Sequence, residues 1–234
     1  MSKIKVSPQI FEQFPEVKIG ILVVKNTDNT GNAPEITALL RAVEKEVRSI
    51  PDIEPVNSFP KIAAWWEAHK NFGNSPKKYP PSVQSIIRRV VKGGELPSIN
   101  KLVDLYNYIS LKYIVPAGGE DLDRCAGDIQ LALAEGNEDF KEIGATENNP
   151  PEPGEVVYKD EAGVICRKWN WREGDRTKLT EKTKNALLVL EALPPADDTE
   201  LRAALSDLKT LVQKYCGGEI YPIILQKDNL EGIF

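Results

Sequence analysis

Residues 17–24, reading VKIGILVV, are rich in β-branched side chains and almost continuously apolar, the pattern of a strand covered on both faces. A turn-like stretch follows at residues 26–32, and Pro34 stands where the first residue of a helix belongs. Ile36, Leu39, Leu40, Val43 and Val47 mark one face of that helix, which should end near Ser49. Pro51 and Pro55 punctuate a loop. After Pro60, the run Ile62, Trp65, Trp66 and His69 predicts a short helix that stops before Gly73. Pro76, Pro80 and Pro81 break the chain again. Ser82 is expected to cap a helix carrying Val83, Ile86, Ile87, Val90 and Val91, halted by Gly93 and Gly94. Ser98 is expected to cap the next one, with Ile99, Leu102, Val103, Tyr106, Ile109 and Tyr113 as its apolar face.

Beyond Pro116 the chain turns acidic and glycine-rich, and residues 117–121 (AGGED) read as a flexible turn. Residues 128–134 alternate like a strand. Pro150, Pro151 and Pro153 mark an exposed loop, after which residues 155–160 and 164–172 form the two arms of a β-hairpin around the turn 161–163. Residues 185–193 are apolar enough for a buried strand or a helix. Asp198 or Thr199 opens an amphipathic helix (Leu201, Leu205, Leu208, Val212) that ends at Gly217 and Gly218. Residues 220–225 make a last strand, placed at a sheet edge by Pro222. Strand and helix patterns intermingle without internal repeats, which predicts one α+β domain over residues 1–234, a mixed β-sheet flanked by helices.

Composition narrows the chemistry. With 41% hydrophobic and 28% charged residues the chain has the make-up of an ordinary globular protein, and no apolar run approaches the ~18 residues of a membrane span. The first 14 residues alternate in charge and lack a signal-type apolar stretch. Cys125, Cys166 and Cys216 are scattered and odd in number, as expected of reduced thiols, and a cytoplasmic location follows as the expectation. His69 is the single histidine, so neither a histidine-based zinc site nor a second imidazole for a triad is available. A helix-surface or packed imidazole is the simpler reading of it. No metal and no cofactor are expected.

The net charge of −5 argues against tight, nonspecific nucleic-acid binding, yet the cations are unevenly spread. Residues 76–101 hold Lys77, Lys78, Arg88, Arg89, Lys92 and Lys101 against Glu95 alone. Residues 166–184 hold Arg167, Lys168, Arg172, Arg176, Lys178, Lys182 and Lys184 against Glu173, Asp175 and Glu181. These are either two solvated faces or one phosphate-backbone footprint assembled from both. A second polar feature lies in the helix near residues 98–113, where Asn100, Asp104, Asn107 and Leu111 recur at helical spacing. Small polar groups compete for backbone bonds in mid-helix, so three in register either meet solvent or line a polar pocket.

The run SINKLVDLYNY at residues 98–108, continuing through Pro116 and Asp121, resembles the I-N-x-x-V-D-x-x-N-Y helix and loop of the phenylalanyl-tRNA synthetase beta-subunit editing domain, the B-three/four domain. Residues 82–92 resemble that family's preceding basic helix. Glu135 to Glu138 resemble its A-x-x-G-E segment, and residues 156–160 its V-x-x-D hairpin. Thr183, Lys184 and Asn185 followed by Glu191 resemble its T-x-N…E strand, which selects strand over helix for residues 185–193. The similarity is ordered and strongest over residues 82–193.

The resemblance implies a freestanding editing-type fold and, as function, trans-acting hydrolysis of misacylated aminoacyl-tRNA. The alternative is a noncatalytic module that binds tRNA, an amino acid or a nucleotide, and a protein-interaction domain with a vestigial cleft is a third reading. Aminoacylated tRNA is the implied partner, with no membrane; association with a synthetase stays open. Asn107 falls on a pocket asparagine of the family and Glu191 on its hydroxyl-recognising glutamate, at a spacing two residues longer. Gly118 stands in place of the family's pocket histidine. The glycine-rich pocket loop is replaced by Arg167, Lys168, Trp169, Asn170, Trp171 and Arg172, a bulky cationic segment that implies a changed substrate. Asn170 with Arg172 would hold a carbonyl or a terminal phosphate. Asn100, Asp104, Asn107, Gly118, Trp169 and Glu191 would line the substrate pocket, with Asp104 or Glu191 taking the aminoacyl ammonium. Arg88, Arg89, Lys92, Arg167 and Lys168 would contact RNA. Trp169 and Trp171 either cover the core or stack on the terminal adenine. Strand alternation would put both on one face and Asn170 on the other.

Overall fold

A computed structural model of the chain describes residues 2–31 and 33–234; Met1, at the head of the N-terminal stretch, and Asn32, last residue of the expected turn, lie outside the described residues. The chain opens with β1 (Lys3–Val6) and α1 (Pro8–Gln13), then β2 (Lys18–Lys25), α2 (Pro34–Arg48), α3 (Pro60–Asn71), α4 (Ser82–Val91) and α5 (Lys101–Tyr113). Next come β3 (Ala117–Asp121), β4 (Ile129–Leu133), β5 (Val156–Asp160), β6 (Gly163–Arg167), β7 (Arg172–Glu173) and β8 (Ala186–Ala192). Helix α6 (Asp198–Tyr215) and strands β9 (Glu219–Leu225) and β10 (Glu231–Ile233) complete it.

The α+β class holds, with the β-structure divided into two sheets. One has the order β10-β1-β4-β5-β6-β7 and is mixed, since β1 runs parallel to β4. The other, β3-β8-β2-β9, is antiparallel throughout. This arrangement explains why β2 and β8 read as unbroken apolar runs. Leu22, Val24, Leu188 and Leu190 face a core closed by α5 and α6. Ile19, Ile21, Val23, Leu187 and Val189 face the opposite core, which lies against β1, β4, β5 and β6 and is covered by α2, α3 and α4. Successive side chains alternate between two apolar layers, so no polar position interrupts the sequence. Pro222 sits in β9 at the sheet edge, where a missing N–H breaks no ladder bond on the solvent side.

Several expectations change. Residues 117–121 are not a flexible turn but β3, in register with β8 from Ala117↔Leu190 to Asp121↔Ala186, and Glu120 and Asp121 are buried there. Strands β1 and β10 were invisible because they are short and charged, cross-linked by Lys3–Glu231 at 3.1 Å. The cap of α5 is Asn100, not Ser98: its side chain accepts from Val103 N–H at 3.1 Å. Asp104 reaches back to accept from Ile99 N–H at 2.8 Å and from the Ser98 hydroxyl, a reciprocal cap that leaves Ile99 53% exposed. Ser82 is the first helical residue of α4 and Pro81 holds the cap position, so its hydroxyl does no capping. The arm expected at residues 164–172 is interrupted after Arg167 and resumes only as β7.

Candidate functional site

The interruption is made by two consecutive non-glycine residues in the left-handed region, Lys168 (φ 46°) and Trp169 (φ 64°). Such conformations cost about 1–3 kcal/mol each and persist where surrounding structure over-determines them. Here Glu155 supplies the constraint on one side. It accepts from Arg167 Nε at 2.9 Å and Nη2 at 2.7 Å, and from the Lys168 amide at 3.0 Å and ammonium at 2.8 Å. Arg167 and Lys168 are buried in that ion cluster, which removes them from any RNA surface. Their charge is spent on one internal carboxylate, held below its usual range chiefly by hydrogen bonds from the two cations against the opposing effect of burial.

Trp169 supplies the constraint on the other side. Its ring is fully buried, edge-on to Phe14 at 4.8 Å and to Trp65 at 5.1 Å, and it cannot offer a free face to an adenine. The left-handed turn also defeats alternation. Trp169 and Asn170 both point inward and meet Glu191 on β8: the indole N–H donates to Oε1 at 2.7 Å and the Asn170 amide to Oε2 at 2.7 Å. The Tyr158 hydroxyl donates to Oε1 at 2.5 Å. Behind Asn170, His69 Nε2–H donates to its Oδ1 at 3.2 Å, while His69 Nδ1 accepts from Asn74 at 2.7 Å. These bonds define the tautomer of a buried neutral imidazole, whose pKa burial lowers to about 4. Burial raises Glu191 to about 7 despite its three donors. Asn170 and Glu191 are therefore members of a closed internal network. Neither is free to grip a substrate carbonyl or ammonium.

What remains open lies beside that network. A cavity of about 160 Å³ occupies the seam between the two sheets, capped by α5 and the 168–171 turn. Its size matches an engineered cavity of roughly 150 Å³ that admits benzene. Ile129, Ile165, Leu187 and Val189 give it an apolar lining, to which Tyr106 and Tyr158 add. Asn107, Gly118 and Arg172, all named from the sequence, line it together, as do Trp169, Asn170 and Glu191 through their outer surfaces. Asn100 and Asp104 do not: both are buried in capping bonds, Asn100 also donating to Leu179 C=O at 3.2 Å.

Three lining residues escaped the sequence reading as site groups. Ser82 presents a buried hydroxyl with no partner among the described residues. Glu120, from β3, and Glu173, from β7, each have a carboxylate Oε2 that meets no donor among the described residues. Burial and the Glu173 charge push Glu120 well above the usual carboxylate range, and burial raises Glu173. The two carboxyls lie close enough to share a hydrogen bond, hence a proton. No sequence signal marks the pair, because β3 looks like a turn and β7 lies beyond the break in its strand.

A second depression adjoins the cavity. It is polar, lined by Lys77, Lys78, Gln84, Ser85 and Arg88, and it shares Trp171 and Arg172 with the first. Trp171 is half-buried, edge-on to Tyr79 at 4.7 Å, with the exposed Arg172 guanidinium 5.5 Å from its ring. Lys77, Lys78, Arg88, Arg89 and Lys92 are all exposed, although Arg89 is tied to Glu95 C=O at 2.7 Å. The basic segment 76–101 thus contributes real surface cations next to the cavity, whereas segment 166–184 contributes Arg172 there. Among the described residues no group of three or more His, Cys, Asp or Glu is arranged to hold a metal ion, all three cysteines are free, and no helix is long and apolar enough to cross a membrane.

Comparisons place this geometry in a lineage. No curated protein sequence matches the chain. Among solved structures, the chain is similar to an N-terminal fragment of the phenylalanyl-tRNA synthetase beta-subunit from Pyrococcus horikoshii. The two are 12% identical with a TM-score of 0.51; the match covers 94% of this chain and 53% of the fragment, so the chain spans about half of it. That likeness is one of fold. The family model of the B3/4 domain matches residues 64–217, an interval that contains every residue lining the cavity. The chain belongs to the B3/4 domain family.

Proposed function

We propose that the protein binds the aminoacylated end of a tRNA and hydrolyses an amino acid wrongly attached to it, acting in trans on tRNA charged elsewhere. The observation that carries this reading is the adjacency of two unlike surfaces. A polar groove with Lys77, Lys78, Arg88 and Arg172 on its walls adjoins, across Trp171, a partly open and mostly apolar cavity of about 160 Å³. A polyanionic chain ending in a small, partly apolar ester has those two properties in that order. Cytoplasmic placement accompanies the reading, since charged tRNA is its substrate.

Hydrolysis requires a water to attack the ester carbonyl carbon, breaking the bond to the ribose oxygen, which takes up the water's proton. Placement of water and ester supplies much of such a rate, and donors facing the developing oxyanion supply more. The Ser82 hydroxyl, the Asn107 amide and the Arg172 guanidinium line the space where these partners would meet. This reading gives the carbonyl- or phosphate-holding role to Arg172, whose Nε pairs with Glu142 at 3.1 Å, and not to the Asn170 amide, both of whose ends are engaged.

Binding without hydrolysis is the second reading, favoured by the sequestration of His69, the one imidazole, as a neutral group bonded at both nitrogens. A panel of misacylated tRNAs separates the two. Release of free amino acid from at least one of them, reduced about tenfold or more in Arg172→Ala or Ser82→Ala, supports the hydrolase. Retention of every ester with measurable tRNA binding supports the module, and no tRNA binding at low salt removes both.

A further inference from the structure

The cavity wall contains two kinds of buried acid. Glu191 accepts three hydrogen bonds and has no need of a ligand. Glu120 is 5% exposed and its neighbour Glu173 is half-buried, and in each the Oε2 is buried and meets no donor among the described residues. Leaving carboxyl oxygens without donors in a low-dielectric site costs several times what an ordinary hydrogen bond returns. The backbone makes room for the pair at Gly118: a Cβ there would stand 2.5 Å from Glu173 Oε1, so only a glycine lets β3 pass this close to the carboxyl.

We propose that the Glu120–Glu173 carboxyl pair is an ammonium-recognition site, and that the cavity takes a small primary amine with an apolar body of about one ring. The pair provides charge-assisted acceptors. Tyr106 and Tyr158 line the same cavity, where an aromatic ring adds attraction for a cation that meets its face. Ile129, Ile165, Leu187 and Val189 receive the apolar body. This deepens the preceding reading and rests on it only for the source of the amine, an aminoacyl ester being one carrier of such a group. The carboxyls hold a proton when the site is empty of cation, so an incoming ammonium replaces it and binding releases a proton. Affinity therefore rises with pH while the amine stays charged. The other titratable groups facing the pair are Tyr106 from α5, Cys166 from β6, Glu191 from β8, Cys125 and Arg176. Tyr158 from β5 also faces Glu173, and the cations nearby are Arg176, held by Asp160 at 2.6 Å, and Arg172, which lines the same cavity and pairs with Glu142 at 3.1 Å.

Benzylamine and its neutral isostere benzyl alcohol test the site by calorimetry on the full chain. At about pH 8 benzylamine should bind about tenfold or more tightly than the alcohol, with proton release seen as a heat that depends on the buffer. In Glu120→Gln and in Glu173→Gln that preference should fall to about two- to threefold while the alcohol still binds, which certifies the fold of each variant. Equal binding of amine and alcohol by the native protein, or a preference that survives both substitutions, overturns the proposal. Competition identifies the source and supports the site either way: displacement by aminoacylated but not deacylated tRNA assigns the tRNA end, and displacement by a free amino acid assigns a free amine. A protein that binds benzylamine through the pair yet leaves every misacylated tRNA intact keeps this inference and loses the hydrolase.

Discussion

Glu191 and the Glu120–Glu173 pair line the same cavity, and they are opposites. Glu191 closes a chain of side-chain bonds that runs from Asn74 through His69 and Asn170 and takes further donors from Tyr158 and Trp169. Glu120 and Glu173 have each other, with only the Thr177 hydroxyl beside the first and the weakly donating Cys166 thiol beside the second, and each keeps an Oε2 that meets no donor among the described residues. A satisfied acid in a pocket wall is part of the scaffold, however inviting its position. An acid denied its bonds by the fold is the one to assign to a ligand. Glu191, expected from the family resemblance to touch the substrate, is held by protein donors, and the ammonium site proposed above falls instead on Glu120 and Glu173.

The largest expected effects come from breaking the satisfied side. Trp169→Ala should lower stability by about 3–5 kcal/mol, through lost aromatic packing and the cavity left behind. Trp171→Ala, two residues on and half-buried, should cost about 1 kcal/mol or less, and urea unfolding of both variants measures the contrast. Glu191→Ala should cost about 3 kcal/mol or more, because three buried donors lose their acceptor. Glu120→Gln should change stability by about 1 kcal/mol or less in either direction, since it removes a buried like-charge conflict. Equal losses for Glu191→Ala and Glu120→Gln would erase the distinction between the two sites.

The pH profile sharpens the same contrast. Glu191 titrates at about 7 in the folded protein, above its unfolded value, so its contribution is fully present below the ordinary carboxylate range and is lost as pH rises through about 7. That loss amounts to roughly 3 kcal/mol at most. His69 is displaced the other way, to about 4: its contribution is present above the ordinary imidazole value and is lost as pH falls through about 4. Stability should therefore fall off on both sides of mildly acidic pH, and Glu191→Gln should flatten the neutral-side slope. The smallest effect on folding is expected at the rim. Arg88→Ala and Arg172→Ala should each leave stability within about 0.5 kcal/mol while reducing the salt slope of tRNA binding by about 1.

Most of the framework was legible in the sequence, because β2, α2, α3 and α6 obey simple periodicity with proline or glycine near their ends, whereas β8 was told from a helix only by the family resemblance. The site was less so, for three physical reasons. Alternation is a property of extended backbone, and the left-handed pair Lys168 and Trp169 ends it without a glycine to announce the turn. A cation looks the same in sequence whether it meets solvent or a buried acid, so Arg167 and Lys168 passed for RNA contacts while Glu155 held both. The polar register Asn100, Asp104 and Asn107 was real, but its first two members cap α5 and only Asn107 reaches the cavity. Pairing across the sheets, not local pattern, brought Glu120 and Glu173 together, and no single segment encodes it.

Carbon-13 NMR of the glutamate side-chain carboxyls, titrated across the acid-to-neutral range with and without benzylamine, tests the division between the two acid sites most directly. The expected result is that Glu120 and Glu173 stay protonated unusually far toward neutral pH and that benzylamine lowers that point, while Glu191 titrates near 7 in both conditions. Benzylamine shifting Glu191 and leaving Glu120 and Glu173 unmoved would contradict it.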